Sequence, residues 1–332
     1  MTTSSSHVPS DAGADALRPE ATVPIAQSPA QLVRRRLRHD RVAMASAIAL
    51  AAIIALALAA GPLTHLLGVN PFDFNPDLIS DDGGLPVGPL GGAGWPHLLG
   101  VEPLTGRDIF ARLLYGARAS LLIAALATLA TLVLGTALGA VSGYARGAVD
   151  SLLGRFMDLV LAFPLLLVVI ALAPVLDQRL AALGVPEGNP TRIVGIIVVL
   201  SAFGWPYLAR IVRGQVLSLR ERDYVTAARA MGASTTRILV REVLPGVTSV
   251  ILVYATLLMP SYIAAEAALA YLGISVQPPT PTWGAMLDDS VTYFTVDPFY
   301  FFAPMLALVT TVLAFNLLGD SLRDALAGDS HS

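Results

Sequence analysis

The sequence predicts an all-α polytopic membrane protein with six transmembrane helices, and three observations carry that prediction. Of its 332 residues, 55% are hydrophobic and only 14% charged, where a soluble domain carries about 25% charged residues. The apolar residues collect in long runs instead of recurring at amphipathic spacing, and mean hydropathy is +0.68. The arginines are unevenly divided among the segments between those runs.

The runs lie near 43–67, 120–141, 156–176, 193–209, 247–272 and 300–318. Each approaches the roughly 20 residues that cross a hydrocarbon core as a helix. Only a helix, or a closed barrel, satisfies its backbone hydrogen bonds there. All 21 basic residues are arginine. With both termini cytoplasmic, Arg107, Arg112, Arg118, Arg179 and Arg192 fall outside and the other sixteen of the 21 fall inside. That positive-inside bias predicts an N-in, C-in topology.

Composition also bounds the chemistry. There is no cysteine, hence no disulfide and no thiolate metal site. A chain without lysine cannot carry a P-loop. The five histidines stand apart from one another, so no metal site is expected. No Gly-x-Ser-x-Gly elbow occurs, and the Asp and Glu residues of the outer loops read as solubilising. No catalytic residue, resident cofactor or nucleic-acid partner is expected, so any energy must come from outside the chain.

Residues 1–30 are rich in Ser, Ala, Pro and Asp and read as a disordered cytoplasmic tail. A basic juxtamembrane segment and the first span occupy 31–67. Orienting the helix is the favoured role of the segment's arginines, contact with anionic membrane lipid the alternative. Arg34-Arg35-Arg36 before an apolar run resembles a signal peptide, but the run exceeds a signal core of 7–15 residues and about forty residues precede it. A retained signal anchor is expected.

An outer loop fills 68–118. Its first half is turn-rich, with Asn70-Pro71, Asp81-Asp82-Gly83-Gly84 and Gly91-Gly92. Its second half spaces Ile109, Leu113 and Leu114 as an interfacial helix leading into the second span. The remaining five spans form a core over 119–318, followed by a cytoplasmic tail at 319–332. In the second span Gly135, Gly139 and Gly143 form a small-xxx-small ridge, which lets helix backbones approach closely. Packing within this subunit is the favoured role, a subunit interface the alternative. Phe163-Pro164 predicts a kink in the third span, and Pro260 one in the fifth. Glu266 is the clearest ionisable residue within a span. It faces either an outer gate or translocation path, or hydrogen bonds from the loop that follows. Pro164, Pro260 and Glu266 are therefore candidate gate or pathway residues.

Between the fourth and fifth spans lies the polar insert 210–246. Asp223 is placed to cap a helix beginning at Tyr224 or Val225, with Ala227, Ala228 and Ala230 forming a small-residue face. Gly232 suits the left-handed residue that ends it. Ser234 caps a second helix reaching about Val243, which Leu244-Pro245 stops before the fifth span. Short helices held between two spans can pass a push from a soluble protein into the bundle. The plainer alternative is an amphipathic loop resting on headgroups.

Thr226-Ala227-Ala228, Gly232 and Leu244-Pro245 resemble the EAA loop of permeases in ATP-binding-cassette (ABC) importers. Further matches narrow the resemblance to the C-type permease of dipeptide, oligopeptide and nickel systems. They are Gly106-Arg107-Asp108-Ile109-Phe110 with Arg112, Leu113, Tyr115-Gly116, Arg118 and Ser120; Ala162-Phe163-Pro164; Tyr271-Leu272-Gly273; Gln277-Pro278-Pro279, Pro281, Trp283-Gly284 and Met286-Leu287; and Asn316-Leu317-Leu318-Gly319-Asp320 with Leu322-Arg323-Asp324. The matches run in order from about Leu32 to Leu326.

The resemblance implies a type I ABC importer permease fold in a bacterial inner membrane. It also implies a B-type permease completing a heterodimeric pore, two ATPase subunits that bind ATP and Mg, and an extracytoplasmic solute-binding protein. Tyr224, Thr226, Ala227, Ala228, Met231, Gly232, Leu244 and Pro245 are then the expected ATPase-coupling residues. Peptides are the expected cargo, with nickel or another small solute, or a non-transporting scaffold coupled to an ATPase, as alternatives. Three departures stand out. Thr226 replaces the family's glutamate, and Gly100-Val101-Glu102 with one extra residue replaces Gly-Thr-Asp. The outer loop at 70–95 is longer than usual.

Overall fold

The computed structural model describes residues 37–327. The expected tail at 1–30, Arg34-Arg35-Arg36 and the last residues of 319–332 lie outside them. Among the described residues the fold is all-helical, and six helices are long and apolar enough to cross a membrane. The helices are α1 (Arg41–Leu58), α2 (Ala60–Leu67), α3 (Ile109–Ala145), α4 (Gly147–Leu161), α5 (Leu165–Ala182) and α6 (Asn189–Leu219). After them come α7 (Asp223–Ala230), α8 (Thr235–Ile238), α9 (Leu244–Tyr271), α10 (Trp283–Ser290) and α11 (Pro298–Ala327).

Several limits differ from the sequence expectation, each for a local reason. The single run at 43–67 is two helices with an offset at Ala59, because Pro62 has no N–H for the carbonyl of Leu58. The interfacial helix expected before the second span is instead the first three turns of α3. Asp108 caps it by accepting from the Ala111 amide at 2.6 Å, and nothing between Ile109 and Ala145 breaks it. The third span is not a kinked 156–176 helix but α5 alone. Pro164 stands outside as the residue before α5 and disfavours helical backbone at Phe163, so α4 ends at Leu161 as a separate element. By contrast α9 runs unbroken through Pro260. The sixth span extends through most of the expected tail to Ala327, with Leu322 and Ala325 buried.

The centre of the bundle is the pair α3 and α6, the most extensive helix contact among the described residues. Gly135, Gly139 and Gly143 all lie buried along it. A Cβ on Gly135 would stand 2.9 Å from the Leu208 side chain, and one on Gly139 2.9 Å from the Ala209 Cα. One on Gly143 would stand 2.8 Å from both the Arg213 carbonyl oxygen and the Val216 Cβ. The ridge packs two helices of this subunit against each other, so α3 and α6 share backbone contact through the membrane.

Polar latches fix both ends of this pair. At the end next to α4, Asp150 accepts from Arg213 Nε at 2.5 Å and Nη2 at 2.8 Å, and from Ser142 Oγ at 2.6 Å. The Arg213 hydrogen bond, then that from Ser142, holds its carboxyl down at about 2 from the usual 3.8. A depressed carboxyl stabilises fully above the ordinary range and loses its effect as pH falls through its folded value, so this latch is closed throughout the neutral range.

The opposite end corrects the reading of the loop acids as merely solubilising. Glu102 is buried and bridges Arg107, at 2.9 Å, and Arg112. Arg112 Nη1 donates onward to the carbonyls of Pro279 at 3.1 Å and Pro71 at 3.4 Å. One carboxylate thus joins the 68–108 loop, α3 and the loop after α9. Asp108 is buried beside His97 at 2.9 Å, and burial pushes its carboxyl above the usual range. Ion pairs shielded from water in this way are costly to break singly.

Gly139→Leu is expected to force α3 and α6 apart and destabilise the fold by about 1–3 kcal/mol, with Gly139→Ala milder. Thermal unfolding of the purified variants in detergent measures this, and unchanged midpoints would show that the helices do not depend on the ridge.

Candidate functional site

The insert between α6 and α9 folds as two short helices at the foot of the bundle. α7 begins one residue earlier than expected: Asp223 is its first residue rather than its cap, and Arg222 precedes it with no side-chain cap hydrogen bond. The chain leaves α6 in a tight turn, so an acidic side chain in the first turn meets the helix dipole instead. The end of α7 forms as expected. Gly232 has φ +80°, its amide donates to the Arg229 carbonyl at 3.0 Å, and the Ala233 amide donates to Ala228 at 3.1 Å. These two bonds are the paired closure of a Schellman turn, which requires a left-handed residue at Gly232.

Ser234 caps α8 by accepting from the Arg237 amide at 3.4 Å. Leu244-Pro245, however, does not stop this helix. α8 passes through a widened turn, Leu239–Val243, directly into α9. There the Leu244 amide donates to the Leu239 carbonyl, five residues back. Pro245 sits in the first turn of α9, where a missing N–H is tolerated. The second helix of the element and the fifth span are therefore one continuous rod.

Burial divides the element into two faces. Val225, Ala228, Ile238 and Val243 are buried in one cluster with Leu208, Val212, Val216 and Val247 from α6 and α9. Tyr224, Thr226, Ala227, Arg229, Met231 and Gly232 are exposed, Met231 at 81%. Ala228 thus leaves the small-residue face expected of it. With 100° per residue it shares the inward side with Val225, three positions earlier. Leu244 is half-buried and Pro245 exposed. The result is a surface with an apolar knob, mounted on a core continuous with two spans.

Glu266 is enclosed at the other end of α9. Its Oε1 accepts from Ser275 Oγ at 2.7 Å and its Oε2 from Ser120 Oγ at 3.3 Å. Ser120 Oγ accepts in turn from the Trp283 amide at 3.1 Å, and Trp283 Nε1 donates to the Leu113 carbonyl at 3.1 Å. The carboxylate ties α3, α9 and α10 together through hydroxyls, and no ion pair reaches it among the described residues. This is the arrangement of a side chain hydrogen-bonded to the loop that follows. Pro164 lies elsewhere, between Phe163 and Leu165, which line a cleft of 470 Å³ bounded also by α6 and α9, while Pro164 itself does not line it. Pro260 is buried in α9 beside Ser261 of the cleft wall.

Sequence reading missed the Glu102 network, whose signal was the close alternation of Glu102, Arg107 and Arg112 just before an apolar helix. It also missed Tyr207 and Tyr254 in the cleft, whose hydroxyls interrupt otherwise apolar spans. Among the described residues no group of three or more His, Cys, Asp or Glu side chains is placed to hold a metal ion.

Residues 135–329 match the family model described as binding-protein-dependent transport system inner membrane component. Residues 28–80 match the N-terminal TM domain of oligopeptide transport permease C. The chain is similar to the glutathione transport system permease protein GsiD of Shigella dysenteriae serotype 1 (strain Sd197), 38% identical over 292 residues covering 88% of each chain. It is similar in the same measure to GsiD of Shigella flexneri serotype 5b (strain 8401), at 39% identity, and of Escherichia coli O157:H7, at 38%. In this family the permease is non-catalytic and a separate subunit hydrolyses ATP. The chain therefore belongs to the binding-protein-dependent inner-membrane permeases of ABC importers, in their peptide and oligopeptide branch, and is a multi-pass protein of the bacterial inner membrane.

Proposed function

We propose that the chain is one pore subunit of an ATP-driven importer of di- and oligopeptides, and that α7 and α8 couple it to an ATPase. In this reading both termini are cytoplasmic. A B-type permease completes the pore, two ATPase subunits bind ATP and Mg beneath it, and an extracytoplasmic binding protein delivers cargo. The observation that carries the coupling role is the two-faced element. Tyr224, Thr226, Ala227, Met231 and Gly232 present a contact surface, while Val225, Ala228, Ile238 and Val243 key the same element into α6 and α9. A displacement at the surface must then move two spans, because a close-packed core transmits strain instead of absorbing it. The ATPase biases the pore only through contacts that differ between its two states. Thr226, exposed where the family has glutamate, offers a hydroxyl instead of a charge to that contact. Peptide cargo is supported by the oligopeptide-permease match and by relatives named for the transport of glutathione, itself a small peptide.

Two outcomes follow. Gly232→Val, which opposes the left-handed turn, is expected to lower peptide uptake per ATP hydrolysed while leaving membrane insertion intact. Gly232→Asn, which tolerates that turn, preserves most of it. Equal uptake by both variants would remove the turn from the coupling path. In proteoliposomes, labelled peptide uptake is expected only when the partner permease, both ATPases, the binding protein and ATP are all present. Uptake by this chain alone would sink the importer reading.

A further inference from the structure

The cleft of 470 Å³ is walled by the end of α4, the start of α5, α6 and α9. Tyr207 on α6 and Tyr254 on α9 lie within about 6 Å, along each axis, of the middle of their helices. Tyr207 is 60% exposed, and neither hydroxyl has a hydrogen bond among the described residues. Tyr262, deeper in the same wall, bonds instead to Thr131 at 2.7 Å and to the Leu200 carbonyl at 3.2 Å. Tyrosine favours the membrane–water boundary, as Tyr271 does at the end of α9, and a bare hydroxyl in hydrocarbon costs free energy. On α5, by comparison, the exposed face is aliphatic, with Leu167, Ile170 and Val175. The two tyrosines therefore mark a wet surface at membrane depth. No charged side chain lines the cleft.

We infer that this cleft is the present chain's share of the translocation path, and that it passes peptide-type cargo by hydrogen bonds from uncharged hydroxyls. The inference rests on the importer reading above. A tyrosine hydroxyl donates and accepts, so it serves both the N–H and the C=O of a passing amide. A fixed charge would hold a cargo's own carboxylate or ammonium group in place. Hydroxyls leave those charges with the water travelling beside them. Selection by cargo charge then does not occur at this depth in this subunit.

The absence of cysteine from the chain gives a clean test. Single variants Tyr207→Cys and Ser261→Cys, with Leu167→Cys as a lipid-facing control, are assembled with the partner permease and ATPases in proteoliposomes. Each is exposed to a charged methanethiosulfonate and, separately, to a lipid-soluble maleimide. The cleft cysteines are expected to react with the charged reagent, at rates that change several-fold between the nucleotide-free and vanadate-trapped states, while Leu167→Cys reacts only with the maleimide. Reaction of the cleft cysteines with maleimide alone would make it a lipid face. No reaction with either reagent in any state would place it under the partner subunit. Either result overturns the inference, and wild-type uptake measured in the same vesicles shows whether the importer reading survives it. Tyr207→Phe with Tyr254→Phe is expected to lower dipeptide uptake several-fold at unchanged assembly. Unchanged uptake would remove the hydroxyls from the path. Reactive cysteines in vesicles whose wild type takes up no labelled peptide would uphold the wet cleft and overturn the peptide cargo.

Discussion

The backbone contact between α3 and α6 along Gly135, Gly139 and Gly143 is the constraint from which the rest of the structure is arranged. Lipid offers apolar helices no hydrophobic reason to associate, so a bundle must be held by close packing and by polar contacts. Three glycines supply the first. Each presses against Leu208, Ala209 or Val216 at a distance where a side chain would intrude. Because α3 begins at the Asp108 cap and α6 ends at the polar element of α7 and α8, this one contact joins opposite ends of the bundle.

Polar contacts then lock those ends in different ways. At one end, Asp150 and Arg213 form a partly exposed latch whose carboxyl is strongly depressed. At the other, Glu102 is buried between two arginines, one of which reaches backbone carbonyls on two further segments. The Glu102 network specifies geometry more than it adds stability, since a buried ion pair roughly offsets its own desolvation. It gives a loop with little apolar core a defined shape. Glu266 extends the same logic into the membrane, exchanging hydration for serine hydroxyls from α3 and from the loop after α9.

How legible all this was depended on the range of the interaction. The spans, the glycine ridge and the left-handed turn at Gly232 are local: each is written in one helical run or one turn, and each could be read directly. Helix limits failed where a proline had more than one outcome. Pro62 and Pro164 interrupt helices, Pro260 lies within one, and Pro245 sits in a first turn after an i→i−5 bond has widened the turn before it. Nothing local separates these cases, because neighbouring helices decide which carbonyls are re-satisfied. The Glu102 network and the Glu266 cage join residues far apart in sequence, so residue type alone could not show that outer-loop acids were buried.

The positions of the helix breaks matter for motion. α9 is joined to α8 without interruption, so in the coupling role proposed above a push on α8 would enter the fifth span as a rigid displacement. α5, by contrast, is cut from α4 at Ala162-Phe163-Pro164 and is the least covered of the six spans. The cleft lies between these two kinds of element, with a rigid wall from α6 and α9 and a jointed wall at Phe163. If the rigid wall moves with the coupling element while the joint lets α5 stay with its surroundings, the width of the cleft changes without breaking the glycine contact. On the importer reading proposed above, the chain would then need no charged gate at membrane depth: closing an uncharged cleft would remove its water, and desolvating the polar groups of a peptide is costly.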